Sequence, residues 1–291
     1  VWKKLQYRFK VWRAALQPSQ AITDVDQIPL VVASVFKDEA PFLQEWLDYH
    51  IAQGVERFYL ADNFSSDDLH SVLGPYISRG QVVLVQTSSS DMNARIQANE
   101  LNALLELIEN EMGNKVWVAV IDVDEFLFHQ EAVPLKQFLK DFKDQKLAAV
   151  LVNWMMFGTS HLSELDPKQS MLSQLTWRAH HSLGEHKMVK PILYLANCAG
   201  FFEGPHLPIP KKNAGFKHGN NVDYNAGNPM IIHEPIRLNH YWYRSESYYE
   251  NFKRAKRRAF GDERSGQREA DHIRACNYEQ DDSISRIWPP K

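Results

Sequence analysis

Apolar residues in this chain follow two alternating rhythms. Short unbroken runs, PLVVASVF (29–36), VERFYL (55–60), QVVLVQ (81–86) and VWVAVI (116–121), read as buried strands. Between them the apolar positions recur every three or four residues. Pro41 opens a helix carried by Phe42, Leu43, Trp46, Tyr49 and His50 and stopped at Gly54. A second helix follows Leu69, Val72, Leu73 and Tyr76 to Gly80, and a third runs from about Asn93 to Met112 before Gly113. Beyond Pro134, a helix over 135–142 and a strand LAAVLVNWMMF (147–157) continue the series. The alternation predicts an α/β fold: a Rossmann-like, mostly parallel sheet flanked by helices. From 158 to about 239 the rhythm gives way to Gly, Pro, His and Asn, which predicts a loop-rich half. A last helical stretch, 246–260, carries KRAKRR.

One strand breaks its own pattern. VWVAVIDVDEFLF (116–128) sets Asp122, Asp124 and Glu125 into an apolar run, and an unpaired buried carboxylate costs several kcal/mol, on the order of its desolvation, or becomes protonated. Ligands of parallel α/β sheets bind beyond the carboxyl ends of the strands. DVDE after the fourth strand and ADNFSSDD (61–68) after the second should therefore line one crevice at the sheet rim, outside the core. Two carboxylates spaced Asp-x-Asp suit a hard cation, Mn²⁺ or Mg²⁺, that stabilises a leaving diphosphate. Asp62 and Asn63 have the groups to hydrogen-bond a base or ribose, while Ser65, Ser66 and Asp67 suit a helix N-cap.

Composition narrows the classes. A formal net charge of −3 over 291 residues argues against nucleic acid as the partner. Cys198 and Cys276 have no second cysteine nearby, as expected of free thiols in a reducing compartment. No apolar run is long enough for a membrane-spanning helix. The N-terminal stretch 1–17 places Trp2, Leu5, Phe9, Trp12 and Leu16 at helical spacing among lysines and arginines, the pattern of a helix lying on an anionic membrane or of one packed on the domain. The first reading makes the protein cytoplasmic and peripheral on the cytoplasmic membrane face. KRAKRR reads either as a solvated helix face or as a patch for anionic lipid or saccharide.

Taken in order, VASVFKDEAPFLQEWLDYHIAQGVERFYLADNFSSDD, VWVAVIDVDEFLF, NWMMFGTS and RLNHYWYRS resemble the glycosyltransferases of family 92 and related family 2-like bacterial enzymes, over roughly Val31 to Ser245. The resemblance implies a GT-A fold, a nucleotide-sugar donor with UDP as the expected nucleotide, a metal-bridged diphosphate, an inverting transfer, and a glycan or glycolipid acceptor of polysaccharide biosynthesis. It divides the chain into an N-terminal helix and linker (1–27) and a transferase domain (28–291), with a nucleotide-sugar half (28–157), an acceptor half (158–245) and a C-terminal helical tail (246–291). Asp38 stands where the family pattern has Asn.

Carried over residue by residue, Lys37 and Glu39 lie under the nucleotide, Asp62 and Asn63 beside its base and ribose, and Gln97 supports that pocket. Asp122 and Asp124 hold the cation, Glu125 orders the turn, and His240 is the late metal ligand. Arg244, Lys187 and Lys190 meet the phosphates. Glu164, Glu185, Glu203 and Asp223 are the candidates for the base that deprotonates the acceptor hydroxyl. Trp154 and Phe157 suit either a sugar face or the core. Two rival classes remain: a nucleotidyltransferase, whose usual Gly-rich basic loop FKDEAP lacks, and a non-catalytic glycan-binding module on the same fold.

Overall fold

The structure, a computed structural model, describes residues 10–254 and 266–288. Most of the predicted N-terminal helix and all of KRAKRR after Arg254 lie outside the described residues. Within them, Val11 is buried while Trp12 and Leu16 are each 55% exposed. Among the described residues no helix is long and apolar enough to cross a membrane.

The predicted strands form as β1 (Leu30–Phe36), β2 (Arg57–Asp62), β3 (Val82–Gln86), β4 (Trp117–Val120), β5 (Glu125–His129) and β6 (Leu147–Met156). The loop-rich half adds β7 (Val189–Tyr194), β8 (Gly215–His218) and β9 (Ile236–His240). They make one sheet in the order β3-β2-β1-β4-β7-β6-β9-β5. The pairs β1–β2, β2–β3 and β1–β4 are parallel, and β7 then runs antiparallel to both β4 and β6. The long β6 carries β8 along its first half and β9 along its second, both parallel. The mixed α/β architecture with a mostly parallel sheet is as expected.

Helices α1 (Ala40–Ala52), α2 (Leu69–Ser78) and α3 (Ala94–Met112) are the crossovers. Asn93 caps α3 by accepting from the amides of Arg95 and Ile96. At α1 the capping oxygen comes from outside the helix: Asp67 Oδ2 accepts the Ala40 N–H at 2.7 Å. The turn ADNFSSDD is thus spent largely on structure, with Asp68, not Ser66, capping α2.

The apolar segment after the acids, Phe126–Phe128, is buried in the core. It leaves its neighbour β4 and becomes β5 at the opposite edge of the sheet, paired antiparallel with β9. Trp46 and Tyr49 of α1 donate to the carbonyls of Glu125 and Leu127 at 2.9 and 2.8 Å. Carbonyls two residues apart point to one edge of a strand, so α1 blocks the edge that β5 would otherwise expose. The same two bonds anchor the end of the DVDE turn.

The C-terminal segment returns to the loop-rich half through α4 (Gly266–Cys276) and a two-residue pairing of 279–280 with 177–178. Asp281 receives Arg178 and Arg237, each at 2.7 Å. Asn277 accepts the Ser160 N–H and donates to Thr159.

Candidate functional site

β4 ends at Val120, and the next turn presents Asp122, Asp124 and Glu125. The rim-exposed placement expected of them does not hold: Asp124 is 3% exposed, Glu125 is fully buried, and only Asp122 is half-open. Burial is tolerated because each carboxylate meets a cation from a distant part of the chain. Lys190, on β7, lies 2.7 Å from Asp122 and 3.1 Å from Glu125. Lys253 lies 2.6 Å from Asp124 and 3.7 Å from Glu39. Arg244 lies 2.7 Å from Glu39 and is itself fully buried.

Glu125 orders the turn. One oxygen accepts the Asp122 N–H and the other the Trp154 indole N–H, both at 2.8 Å. Burial raises its pKa to about 7, Lys190 opposing the rise and Asp122 adding to it. Burial would raise Asp124 too, but Lys253, His240 and Arg244 outweigh it and hold that carboxyl well below the usual range. Lys190 and Lys253 are held above the ordinary lysine value, their acidic partners overcoming burial.

His240, the last residue of β9, brings Nε2 to 3.5 Å from Asp124 Oδ1. Both of its ring nitrogens are buried, and neither has a hydrogen-bond partner among the described residues. A buried polar atom left unpaired is costly, so these nitrogens suit a ligand. Asp122 and Asp124 with one imidazole are a donor set for Mn²⁺ or Mg²⁺, and the orphaned His240 nitrogens beside Asp124 fit that group. Among the described residues no three His, Cys, Asp or Glu side chains converge on one point, because Asp122 is turned to Lys190.

Of the other predicted residues, Glu39, Lys190 and Arg244 join the acids, as above. Lys37 is half-buried on the loop before α1, Gln97 is half-buried in the first turn of α3, and Lys187 is exposed. Asp62 accepts the Ser65 N–H, and Asn63 donates to Thr87 and Ser89, so both side chains already serve their own turn. Of the base candidates, Glu185 is hydrogen-bonded to His272 at 3.1 Å and Asp223 is ion-paired with Lys217, while Glu203 is exposed. Glu164 lines a cavity of about 330 Å³ beside Tyr248. Phe157 is core, packed on Tyr241; Trp154 sits between His206 and His240.

Lys253 escaped the sequence reading, which absorbed it into a basic run. It stands on a π-helical turn (Tyr249–Lys253) with its ammonium 4.4 Å from the Trp242 ring centre. Nothing local marks it; its partner Asp124 is 129 residues away. Arg244 and Asp38, on either side of the site, take φ of 51° and 55°, the strained left-handed region that clusters at functional sites.

A family model described as glycosyltransferase family 92 matches residues 31–259. A family 92 protein of Ricinus communis is 26% identical over 228 residues, which is 77% of this chain and 37% of the relative. One of Arabidopsis thaliana is 25% identical, over 74% of this chain and 35% of its own length. The chain thus spans about a third of the length of these curated relatives. Among solved structures, S. aureus TarS 1–349 in complex with UDP-GlcNAc is similar with a TM-score of 0.36 and 12% identity, over 58% of this chain and 46% of that one. Glucosyl-3-phosphoglycerate synthase from Mycobacterium tuberculosis, in complex with Mn²⁺, UDP and glucosyl-3-phosphoglycerate, has a TM-score of 0.28 and 18% identity, over 48% and 50%.

Proposed function

Because the chain belongs to glycosyltransferase family 92, we propose that it moves a sugar from a nucleoside-diphosphate sugar, with UDP as the nucleotide, to a hydroxyl of a glycan or lipid-linked saccharide, with inversion. The observation that carries this reading is the buried cluster of Lys190, Lys253 and Arg244 around the DVDE turn. Cations fixed in a dry site stabilise negative charge without reorganising as it develops, which is what a leaving diphosphate requires. Asp122, Asp124 and His240 are the residues to hold a divalent cation, which when bound supplies Lewis-acid stabilisation of the departing phosphate oxygen.

The steps assigned to the chain are electrostatic and positional. Lys253 is shared by Asp124 and Glu39, and Lys190 by Asp122 and Glu125. Each ammonium has three donors, so a diphosphate oxygen adds to this shell without breaking it. Glu125, with two of its acceptor sites filled by Trp154 and the Asp122 amide, keeps the turn in place. As the bond between anomeric carbon and acceptor oxygen forms and the bond to diphosphate breaks, the hydroxyl proton passes to a carboxylate.

A thermal-shift screen of nucleoside diphosphates with and without Mn²⁺, followed by a product assay, tests the reading. We expect a metal-dependent shift with UDP, release of UDP during turnover, and at least a hundredfold loss of turnover in Asp124→Asn. Pyrophosphate as product would point to a nucleotidyltransferase, and full activity of Asp124→Asn in chelator would sink the proposed role of the acids.

A further inference from the structure

The buried acids and their cations have an open side. Asp122, Trp154 and His206 are half-exposed, whereas Asp124, Glu125, Lys190 and Lys253 are buried. Trp154 stands between two imidazoles, its ring centre 4.4 Å from that of His240 and 5.4 Å from that of His206. Its indole N–H is bonded to Glu125 at 2.8 Å, which fixes the ring in that position. His206 is therefore no further from His240 than those two ring distances together, and it lies within electrostatic reach of Lys190 and Asp122.

The loop that carries His206 is pinned on both sides. Phe201 exchanges two bonds with the Asn102 side chain of α3, at 2.8 and 2.9 Å. Gly204, at φ 64°, donates its N–H to the Ala94 carbonyl at the start of α3, 2.8 Å away. A side chain at 204 would strain that left-handed turn. Pro205 and Pro208, both buried, restrict the backbone on either side of His206 and Leu207. His206 Nδ1 then meets the Val189 carbonyl at 2.9 Å, one residue before Lys190. The loop thus spans from α3 to β7 and sets the imidazole in register with the lysine that holds Asp122 and Glu125.

The anchor decides the chemistry of the ring. A carbonyl only accepts, so Nδ1 carries the proton and Nε2 presents a lone pair. Burial, then Lys190, lower the pKa to about 4 against the Val189 carbonyl and Asp122, so the imidazole is neutral at physiological pH. Nε2 has no hydrogen bond among the described residues. A fixed neutral acceptor on the open side of a diphosphate site suits a hydroxyl of the group attached to that diphosphate.

We propose that His206 is a specificity-determining residue for the donor: its Nε2 accepts a hydrogen bond from one hydroxyl of the transferred pyranose, and Trp154 spaces that contact from His240. The proposal rests on the transferase reading, in which Asp122, Asp124 and His240 hold the diphosphate end of the same donor. It adds that this loop reads the sugar and not the nucleotide. A donor without that hydroxyl leaves Nε2 facing a group that cannot donate, and binds less tightly.

Calorimetry on the full chain in Mn²⁺, with UDP and a panel of UDP-hexoses as probes, tests the assignment. The preferred UDP-hexose should bind the unmodified chain more tightly than UDP does. His206→Phe keeps a ring against Trp154 without the acceptor, and His206→Gln keeps an acceptor without the ring. We expect His206→Phe to weaken that UDP-hexose about tenfold and UDP by no more than about twofold, with part of the loss restored in His206→Gln. One monodeoxy form of the UDP-hexose should bind the unmodified chain about tenfold more weakly than its parent and lose nothing further in His206→Phe. Full UDP-hexose affinity in His206→Phe, or equal weakening of UDP and UDP-hexose in both variants, overturns the proposal and leaves the transferase reading standing. An unmodified chain that binds neither UDP nor any UDP-hexose overturns both.

Discussion

At the scale of single residues, the site is governed by the cost of burying charge. Asp124 and Lys253 are each less than a tenth exposed and meet at 2.6 Å. Removing one member of such a pair strands the other in a medium that cannot solvate it, at about 3–5 kcal/mol, whereas replacing both by apolar or neutral groups is nearly neutral. We therefore expect Lys253→Met to lower stability by about that amount, and Asp124→Asn with Lys253→Met to recover most of it while remaining inactive. Urea unfolding of the single and double variants decides it; a single-variant loss under about 1 kcal/mol would mean that the pair is solvated. The half-open Asp122 should be less costly to neutralise than Asp124, since water reaches it.

At the scale of elements, the hydrophobic rhythm placed β1 to β4 and α1 to α3 to within about two residues, because each buries a face whose period is written locally. It could not show that the residues after DVDE leave for the far edge of the sheet. The apolar run continues through Phe126–Phe128 whichever neighbour it pairs with, and the choice depends on β9, over a hundred residues later. Gly158 shows the same dependence on remote packing. A Cβ there would stand 2.2 Å from Asn277 Oδ1 and 2.8 Å from the carbonyl carbon of Cys276. The side-chain oxygen can swing aside, but the backbone carbon cannot without shifting the end of α4. Gly158→Ala should thus loosen residues 266–288 and lower stability by about 1–3 kcal/mol. Hydrogen exchange would read this as faster exchange across α4, and unchanged protection there would refute it.

At the scale of the molecule, acid should destabilise the fold before most carboxylates titrate. His50 and His186 are buried and His206 and His233 half-buried, burial lowering each pKa to about 4. In the unfolded chain they titrate near 6.5, so between about pH 6.5 and 4 the unfolded state binds more protons. Their contribution is whole above that window and falls by about 1.4 kcal/mol per pH unit for each histidine within it. Glu125, raised to about 7, and Glu45, also raised by burial, act in the opposite sense over part of the range, two groups against four. The melting temperature should fall by several degrees between pH 6.5 and 4.5, and a flat profile would contradict the burial of these imidazoles.

The sequence by itself determined the order of strands and helices, the class of fold and the turn on which the acids sit, since all three follow from neighbours along the chain. Lys190 entered the sequence reading only as a phosphate contact implied by the resemblance, not as a partner of the acids. Only the tertiary structure decided how those acids are compensated. Lys190 and Lys253 reach them across 68 and 129 residues, and which cation satisfies which carboxylate depends on where β7 and the π-helical turn pack. A buried charge announces in the sequence that it needs a partner; the partner is chosen by the fold, because only there do distant residues share a dielectric.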